Sequence, residues 1–252
     1  MSEDQLLQAD QLKQKLLEVG HERYHHKHPF HLLMHEGKLT REQLQAWALN
    51  RYYYQSRIPI KDAIILSRST DAGFRRAWLK RILDHDGTGG QPGGIEKWIR
   101  LAEATGLDRE DVVSERNVLP GVRYAVDAYL DLVSHRTFLE AVASSLTELF
   151  SRDLIALRID ALRKHYPWLE SGLMYFTARL TQAPEDAAFA LEYVTRNATT
   201  REQQESVITA LRSKCDILWA QLDAIYFAYV TPAWMPPAVV TLNKYEVAHE
   251  VT

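Results

Sequence analysis

Three pairs of side chains recur at the spacing of one helical turn, and each pair joins a cation to a polar or aromatic partner. These pairs are Arg51/Gln55, Arg81/His85 and Tyr175/Arg179. Residues four apart lie on the same face of a helix. A buried arginine requires an anion or a dense set of hydrogen bonds, and its planar guanidinium binds carboxylates in bidentate fashion. Convergence of the pairs predicts a pocket for a small polyanionic ligand, whereas each pair alone is compatible with a solvated helix surface.

Further candidate site residues lie in apolar stretches of the sequence. Glu148, in "SSLTELF", is expected to be a buried carboxylate that needs a cationic partner, and Asp223 is predicted to be similar. Lys214 could turn its ammonium group into the same pocket. Its neighbour Cys215 is predicted to be a buried, unreactive thiol, with a nucleophile as the alternative.

The stretch "HERYHHKHPFHLLMH" is rich in histidine, at positions His21, His25, His26, His28, His31 and His35. A metal site is one interpretation. However, a dinuclear carboxylate site in a helical bundle needs Glu-x-x-His pairs on two helices, and this stretch offers none. We therefore expect one or two functional histidines, the rest on the surface, and no metal ion.

The glycine-rich stretch "GTGGQPGG", residues 87–94, is predicted to be a flexible connection that could act as a lid. It follows a helical pattern rather than a strand. It also lacks the dinucleotide spacing and the lysine of a phosphate-binding loop, so we expect no nucleotide there.

The composition limits the function class. The chain has 252 residues, a net charge of -3 and 46% hydrophobic residues, which indicates a globular protein without a broad nucleic-acid surface. Its one cysteine excludes an internal disulfide and fits a reducing compartment. The polar N-terminus is unlike a secretory signal, and no apolar run is long enough to span a membrane. We predict a cytoplasmic protein.

Helical periodicity runs through almost the whole chain, which predicts one all-α domain over residues 1–252 with about eight or more helices. The first helix is expected to end at Gly20. A capping box at Thr40 and Gln43 opens a helix to about Arg57. Pro59 should break or kink that helix, with a second segment from Lys61.

The remaining helices are predicted from the same signals. Asp71 should cap a helix, and Gly106 should end the next one. The later helices are expected over 122–150, on to 165, then over 168–182, 185–197 and 200–230, the last opened by a capping box at Thr200 and Gln203. The proline-rich tail from about residue 231 is expected to be irregular.

Taken in order, nine segments resemble the pyrroloquinoline quinone synthase family over roughly residues 20 to 230. They are "YHHKHPFH", "NRYYYQ", "IPIKDA", "RILDHDG", "GGIEKWIRLAEATGL", "LPGVRYAVDAYL", "SSLTELF", "HYPW" and "DILW". The resemblance implies a haem-oxygenase-like helical bundle and a homodimer with no metal or organic cofactor. It also implies ring closure and eight-electron oxidation of a bicyclic tricarboxylate precursor by dioxygen, as the last step of pyrroloquinoline quinone biosynthesis, with release of hydrogen peroxide.

The resemblance carries the family's pocket residues onto this chain. Those given a catalytic role are His25, His85, Tyr175, Arg179 and Lys214. Those expected to bind the substrate are Tyr24, Arg51, Gln55, Lys61, Arg81, Tyr129, Glu148 and Arg158. We expect His85 to be the base because imidazole titrates near neutral pH, with Arg81 holding the substrate against it. Tyr175 can exchange a proton at the far face, and Arg179 can stabilise reduced oxygen species.

One position departs from the family. Ile155, in "LIALR", stands where the family usually carries a histidine, which lies there with Tyr175 and Arg179 where dioxygen reacts. His135 is the nearest spare histidine, and nothing in the sequence places it in the pocket. The alternatives are therefore a relative that binds the quinone or stalls at an intermediate, a thiaminase-like hydrolase with a cysteine nucleophile, and a diiron oxidase of the same fold.

Overall fold

The computed structural model describes residues 6–231, and nearly all of this range is helical. The α-helices are α1 (Ala9–Arg23), α2 (Pro29–His35), α3 (Arg41–Ser67), α4 (Ala72–Asp86), α5 (Gly94–Thr105), α6 (Arg109–Val113), α7 (Pro120–His135), α8 (Phe138–Ala143), α9 (Ser151–His165), α10 (Met174–Asn197) and α11 (Arg201–Tyr229). Three 3₁₀ segments cover His25–Lys27, Ser144–Phe150 and Pro167–Gly172. The all-α prediction is confirmed, and the predicted irregular tail falls mostly outside the described residues.

The long helix α3 is the central scaffold. It begins with the predicted capping box, in which the Thr40 and Gln43 side chains each accept a hydrogen bond from the other's backbone N–H. The predicted break at Pro59 is wrong, because α3 continues to Ser67. A proline removes one helical hydrogen bond, but α3 packs against α4, α5, α7 and α11 along its length. This packing holds one continuous helix through the proline.

Helix α10 repeats that behaviour. It runs unbroken through Pro184, so the predicted division between residues 182 and 185 is wrong. Its predicted start at Trp168 is also wrong, because Pro167–Gly172 winds as a 3₁₀ segment and α10 begins at Met174. Tyr175 therefore lies in the first turn of α10, on the same continuous helix as Arg179.

Helix α1 continues past Gly20 to Arg23, so Gly20 does not end the helix as predicted. This glycine has a packing role instead. A Cβ atom built there would lie only 2.2 Å from Cε1 of Phe150. The missing side chain lets the Phe150 ring approach the helix backbone directly.

The single helix predicted over residues 122–150 is divided into three. Helix α7 ends at His135, and a second capping box follows, formed by Thr137 and Glu140 at the start of α8. Because this box satisfies free N–H groups of a helix start, a new helix begins there. The 3₁₀ segment Ser144–Phe150 then carries Glu148.

The glycine-rich stretch, predicted as a loop, contains a minimal β-hairpin. Its strands are β1 (Gly87–Thr88) and β2 (Gln91–Pro92), paired antiparallel with Gly87 opposite Pro92. Gly87 has φ +91°, a left-handed conformation that favours glycine. A Cβ atom at Gly93 would lie 2.3 Å from the carbonyl oxygen of His85. The hairpin therefore packs directly behind His85.

The predicted caps at Asp71, Gly106 and Thr200/Gln203 are confirmed. Two clusters of buried apolar side chains form the core. One contains Trp47, Trp98 and Phe176, and the other contains Trp78 and Leu218. No helix within residues 6–231 combines the length and apolarity that crossing a membrane requires.

Candidate active site

A cavity lies where the two apolar clusters meet. Trp47, Tyr175 and Phe176 reach it from one cluster, and Tyr24 and Tyr129 reach it from the other. Helices α3, α4, α9 and α10 supply most of its polar side chains. A single cavity therefore gathers groups that are far apart in the sequence.

The structure places nearly all of the predicted site residues on this cavity. Its walls include Tyr24, His25, Arg51, Gln55, Lys61, Arg81, His85, Tyr129, Glu148, Arg158, Tyr175 and Arg179. The three one-turn pairs of the sequence thus face the same space. Because α3 is continuous, Arg51, Gln55 and Lys61 are presented by one rigid element.

Lys214 lies behind the wall, which corrects the expectation that it turns an ammonium group into the pocket. Its side chain is fully buried, with Nζ 2.9 Å from the Tyr54 hydroxyl and 3.4 Å from the Tyr129 ring centroid. Burial, with the charges of Arg51 and Lys61, holds the pKa of Lys214 well below its usual value. Lys214 therefore contacts two residues of the cavity wall, Tyr54 and Tyr129, and does not itself line the cavity.

At one end of the cavity the cations have carboxylate partners. Glu148 accepts from Arg81 Nη2 at 2.6 Å and from Arg179 Nη2 at 3.0 Å, which confirms the predicted cationic partners. Its side chain is 17% exposed, so the carboxylate is partly and not fully buried. Asp62 lies 2.5 Å from Lys61 Nζ and 3.4 Å from Arg81 Nε. Burial acts to raise the pKa of Glu148, but Arg81 and Arg179 bring it below its usual value. This end is a network of paired charges.

Sequence reasoning missed two acids in that network. Asp186 Oδ2 lies 3.5 Å from Arg179 Nη1, and its Oδ1 lies 3.8 Å from Arg81 Nη1. Burial and the nearby Glu148 raise the pKa of Asp186 to about 6. A signal existed for both acids, because Asp186 stands two turns from Arg179 on α10 and Asp62 directly follows Lys61 in "IPIKDA".

At the other end, two guanidinium groups lack such partners. Within residues 6–231, neither Arg51 nor Arg158 forms an ion pair with a carboxylate. Arg51 Nη1 lies 3.3 Å from Gln221 Oε1, and the group stacks 4.0 Å over the Tyr54 ring. Burial lowers the pKa of Arg158 to about 10. Positive charge without a carboxylate partner, buried at Arg158 and half-buried at Arg51, favours an anionic ligand.

The hydrogen-bond geometry fixes the tautomer of His85. Its Nδ1 lies 2.9 Å from the carbonyl oxygen of Arg81, and a carbonyl only accepts, so Nδ1 carries the hydrogen. Nε2 then holds a lone pair and has no partner. Burial and the charge of Arg179 lower the pKa of His85 to about 4. This corrects the expected near-neutral titration: His85 is an uncharged acceptor at neutral pH.

Tyr175 and Gln55 are joined across the cavity wall. The Tyr175 hydroxyl donates to Gln55 Oε1 at 3.0 Å. The Tyr175 ring packs edge-on against Trp98, with ring centroids 4.9 Å apart. Ile155, where a family histidine is expected, also lines the cavity and is almost fully buried. Position 155 therefore offers the cavity no hydrogen-bonding side chain.

The expectation that most of the clustered histidines lie on the surface is wrong. His25, His28 and His31 are all buried. His28 caps α2 by accepting from the Phe30 N–H at 3.1 Å, and its Nε2 lies 3.1 Å from Asp223. The prediction of a buried Asp223 is also wrong, because its side chain is 48% exposed. Contacts with α9 and α11 bury much of the histidine-rich stretch.

Two further predictions concern a metal and a thiol. Across the described part of the chain, no group of three or more His, Cys, Asp or Glu side chains has an arrangement that could hold a metal ion. Cys215 is buried, as predicted, and burial raises the pKa of its thiol to about 12. It does not line the cavity. A protonated thiol away from the cavity is a poor nucleophile for any ligand bound there.

The buried histidines predict a loss of stability in mild acid. Burial lowers the pKa of His85 and of His35 to about 4, and lowers those of His25 and His31 well below the usual 6.5. The unfolded chain therefore binds more protons below about pH 6.5, so the free energy of unfolding falls as the pH drops from there towards 4. Urea denaturation at stepped pH should show this decline. His35→Gln should weaken it and His135→Gln, at an exposed site, should not; an unchanged slope in His35→Gln would contradict the account.

The sequence matches one family model and several named proteins. The model of the TENA/THI-4/PQQC family matches residues 13–224. The chain is 54% identical over 233 residues to a pyrroloquinoline-quinone synthase of Acidiphilium cryptum, covering 92% of this chain and 95% of that protein. It is 55% identical over 224 residues to one of Rhizobium meliloti, covering 88% of each. It is 52% identical to a bifunctional coenzyme PQQ synthesis protein C/D of Methylorubrum extorquens, of which the match covers only 64%.

Solved structures share the architecture at low sequence identity. A domain from Shewanella denitrificans described as having a heme oxygenase-like fold matches with a TM-score of 0.74 at 16% identity, over 90% of this chain and 95% of that one. A TenA homolog from Pseudomonas syringae matches with a TM-score of 0.70 at 14% identity, over 88% and 96%. These likenesses confirm the expected haem-oxygenase-like helical bundle.

Proposed function

We propose that this chain, which belongs to the TENA/THI-4/PQQC family, is a pyrroloquinoline-quinone synthase, an oxidoreductase of the final step of pyrroloquinoline quinone biosynthesis. The observation that carries the assignment is identity above half over nearly the whole chain to proteins of that name. The charge of the cavity supports it independently. Two guanidinium groups without carboxylate partners, of which Arg158 is buried and Arg51 half-buried, suit a ligand with several carboxylates.

Contacts to its carboxylates would hold the precursor in the cavity. We propose that Arg51 and Arg158 bind carboxylates of the bicyclic tricarboxylate, because these two cations are not already neutralised by the protein. Lys61 and Arg81 would contact the remaining oxygens, at a lower gain, since Asp62 and Glu148 already share their charge. The carboxylates would replace the water that solvates the empty cavity.

His85 would take protons from carbon. Its Nε2 lone pair is free, and its Nδ1 hydrogen is committed to the Arg81 carbonyl. The low pKa of about 4 describes the cavity without a ligand. Bound carboxylates favour the protonated imidazole and so raise that pKa, which makes His85 a stronger base in the complex. Arg81, one turn away, would hold the substrate against it.

The oxidation would use dioxygen as the electron acceptor. In this proposal carbon-bound hydrogens leave as protons, their electron pairs pass from the reduced ring system to dioxygen, and the oxygen leaves as hydrogen peroxide. Arg179 would stabilise the negative charge that develops on oxygen, and Tyr175 would exchange a proton with it. Tyr24 and Tyr129 would pack against the planar rings. No metal or organic cofactor is part of the proposed reaction.

Lys214 would act indirectly, through the Tyr54 hydroxyl. Its amine has a lowered pKa and lies 2.9 Å from the Tyr54 hydroxyl, whose other side faces the cavity. We propose that the pair passes a proton between the cavity and the α11 side of the wall. A homodimer and a cytoplasmic location complete the proposal and rest on the family resemblance. Light scattering of the purified protein tests the first of these.

The direct test is conversion of the bicyclic precursor in air, with the product identified by its mass and quinone spectrum. Protein that has been freed of metal ions by chelation should form pyrroloquinoline quinone over repeated turnovers. Failure of the metal-free protein, with recovery on addition of one particular metal ion, would favour the diiron or other metal-dependent alternative.

Replacing Ile155 tests the departure from the family. The Ile155→His variant restores a hydrogen-bonding side chain beside Tyr175, so the later, oxygen-dependent steps should accelerate by about tenfold or more. Stopped-flow spectra of the precursor reaction would resolve those steps. An Ile155→Leu variant, apolar and of equal size, controls for altered packing. No gain in Ile155→His would remove any role of this position in limiting the reaction.

The hydrolase alternative predicts a different outcome at Cys215. Because this thiol is protonated and lies outside the cavity, Cys215→Ala should leave the rate of quinone formation unchanged. Its stability should fall by about 1 kcal/mol, as for a small buried side chain. Loss of all ligand chemistry in a folded Cys215→Ala protein would instead indicate a nucleophilic cysteine.

A further inference from the structure

We infer that His31 is a positioning residue for the proposed reaction. It holds His25 in the tautomer that carries its hydrogen on Nε2, and it holds the guanidinium group of Arg158 in place. The inference depends on the proposed function only for what those two groups do to the substrate. The arrangement itself follows from contacts within the protein.

The first contact sets the hydrogen of His31. Its Nδ1 lies 2.9 Å from the backbone carbonyl oxygen of His25 and 3.0 Å from His25 Nδ1. A carbonyl oxygen only accepts, so His31 Nδ1 carries the hydrogen. The same N–H then faces His25 Nδ1, which must offer its lone pair. The hydrogen of the neutral His25 ring is therefore on Nε2.

The second contact joins the His31 ring to Arg158. Nη2 of Arg158 lies 3.2 Å from Nε2 of His31 and 3.3 Å from Nδ1, so it is nearly equidistant from the two ring nitrogens. The Nε atom of the same guanidinium group has no hydrogen-bond partner. A neutral His31 ring can pack against this cation, whereas a protonated His31 would repel it.

Both histidines are held uncharged by their surroundings. His31 is 2% exposed and His25 is 5% exposed. Burial, followed by the charge of Arg158, holds the pKa of His31 well below its usual value. Burial, followed by the charges of Arg51 and Arg158, does the same for His25. Neutral rings have distinct donor and acceptor nitrogens, so the tautomers have chemical consequences.

Two neutral histidines with opposite hydrogen-bonding roles, one an acceptor and one a donor, then line the cavity. His85 offers the lone pair of Nε2, and His25, which also lines the cavity, carries its hydrogen on Nε2. A reaction that removes protons from carbon and builds negative charge on oxygen needs both an acceptor and a donor. His31 fixes the donor and steadies the cation that binds a carboxylate.

Two substitutions separate the two contacts. His31→Asn places an amide N–H near the position of Nδ1, so it retains the bond to the His25 carbonyl but loses the ring that contacts Arg158. His31→Leu loses both. His28→Asn is the matched control, because His28 is equally buried in the same segment and caps α2, which asparagine can also do, but it does not line the cavity.

The tautomer of His25 is read directly by NMR of histidine-selectively ¹⁵N-labelled protein. Wild type, His31→Asn and His28→Asn should show the hydrogen of His25 on Nε2. His31→Leu should show a mixture of tautomers and a lower kcat. A His25 ring that keeps its hydrogen wholly on Nε2 in His31→Leu would overturn the inference.

Binding of pyrroloquinoline quinone provides the second readout. Loss of the ring contact that steadies Arg158 should weaken the affinity of His31→Asn about tenfold, with little change in kcat. Should His31→Leu fail to fold, this variant carries the test, and a wild-type affinity would overturn the inference. Correct tautomers without any quinone formation by wild type would count against the proposed function alone, and leave the role of His31 standing.

Discussion

The His85→Asn variant is expected to form the quinone about 10²–10⁴-fold more slowly than wild type, and to bind the finished quinone with nearly unchanged affinity. Asparagine can keep the hydrogen bond to the Arg81 carbonyl, since its amide N–H lies near the position of Nδ1. It lacks the free lone pair of Nε2, which has no other partner in the cavity. The substitution thus removes the base and preserves the shape. Single-turnover kinetics and equilibrium titration measure the two effects separately.

The pH dependence sharpens this prediction. Wild-type rates should fall as the pH drops through the pKa of His85 in the complex, which bound carboxylates place above the value of about 4 in the free protein. The residual rate of His85→Asn should not show that fall at low pH. His135→Asn is the matched control, because His135 is 76% exposed and pairs with Asp131 away from the cavity. Equal rates in wild type and His85→Asn would remove His85 from the mechanism.

The second large effect is expected at Arg158, where function and stability should move in opposite directions. Arg158→Met should weaken quinone binding about 10–100-fold, because a charge-assisted contact to a carboxylate is lost. It should also raise the free energy of unfolding of the empty protein by about 1–4 kcal/mol, because a buried charge without a carboxylate partner is replaced by an apolar chain of similar length. Isothermal titration and urea denaturation measure the two quantities.

Two controls make the Arg158 result specific. Arg163 lies on the same helix, exposed and paired with Glu170, so Arg163→Met should change neither binding nor stability. Arg81→Met should lower stability, because it leaves Glu148 and Asp62 without their guanidinium partner. If Arg158→Met were destabilised like Arg81→Met and still bound the quinone normally, the proposed division of the cavity into paired and unpaired cations would be wrong.

Capping signals in the sequence predicted three helix starts correctly, at Thr40, Asp71 and Thr200, whereas the predicted start at Trp168 was wrong. The capping boxes at Thr40 and Thr200 form as expected, because both of their partners lie within one turn of the chain. The same local reasoning failed at Pro59 and Pro184. There the lost hydrogen bond is outweighed by contacts from helices that are distant in sequence, and those contacts leave no local trace.

The candidate site also combines features that local spacing predicts with features that it does not predict. The one-turn pairs on α3, α4 and α10 can be recognised from spacing alone, and their convergence on one cavity agrees with the prediction. The contact of His31 with Arg158 spans 127 residues of the chain. The position of Lys214 behind Tyr54 depends on a contact across 160 residues. Such long-range contacts decide which polar side chain meets which, and a single sequence does not record them.

A single-turnover reaction of the metal-free protein with the bicyclic precursor in air tests the central claim most directly. The absorbance of the quinone and the amount of hydrogen peroxide are followed in the same sample, with the protein in excess over the precursor. We predict that finished pyrroloquinoline quinone appears together with peroxide and remains bound in the cavity. A ring-closed species that forms, stays bound and never becomes the quinone would contradict the account and leave this protein a binder of the intermediate.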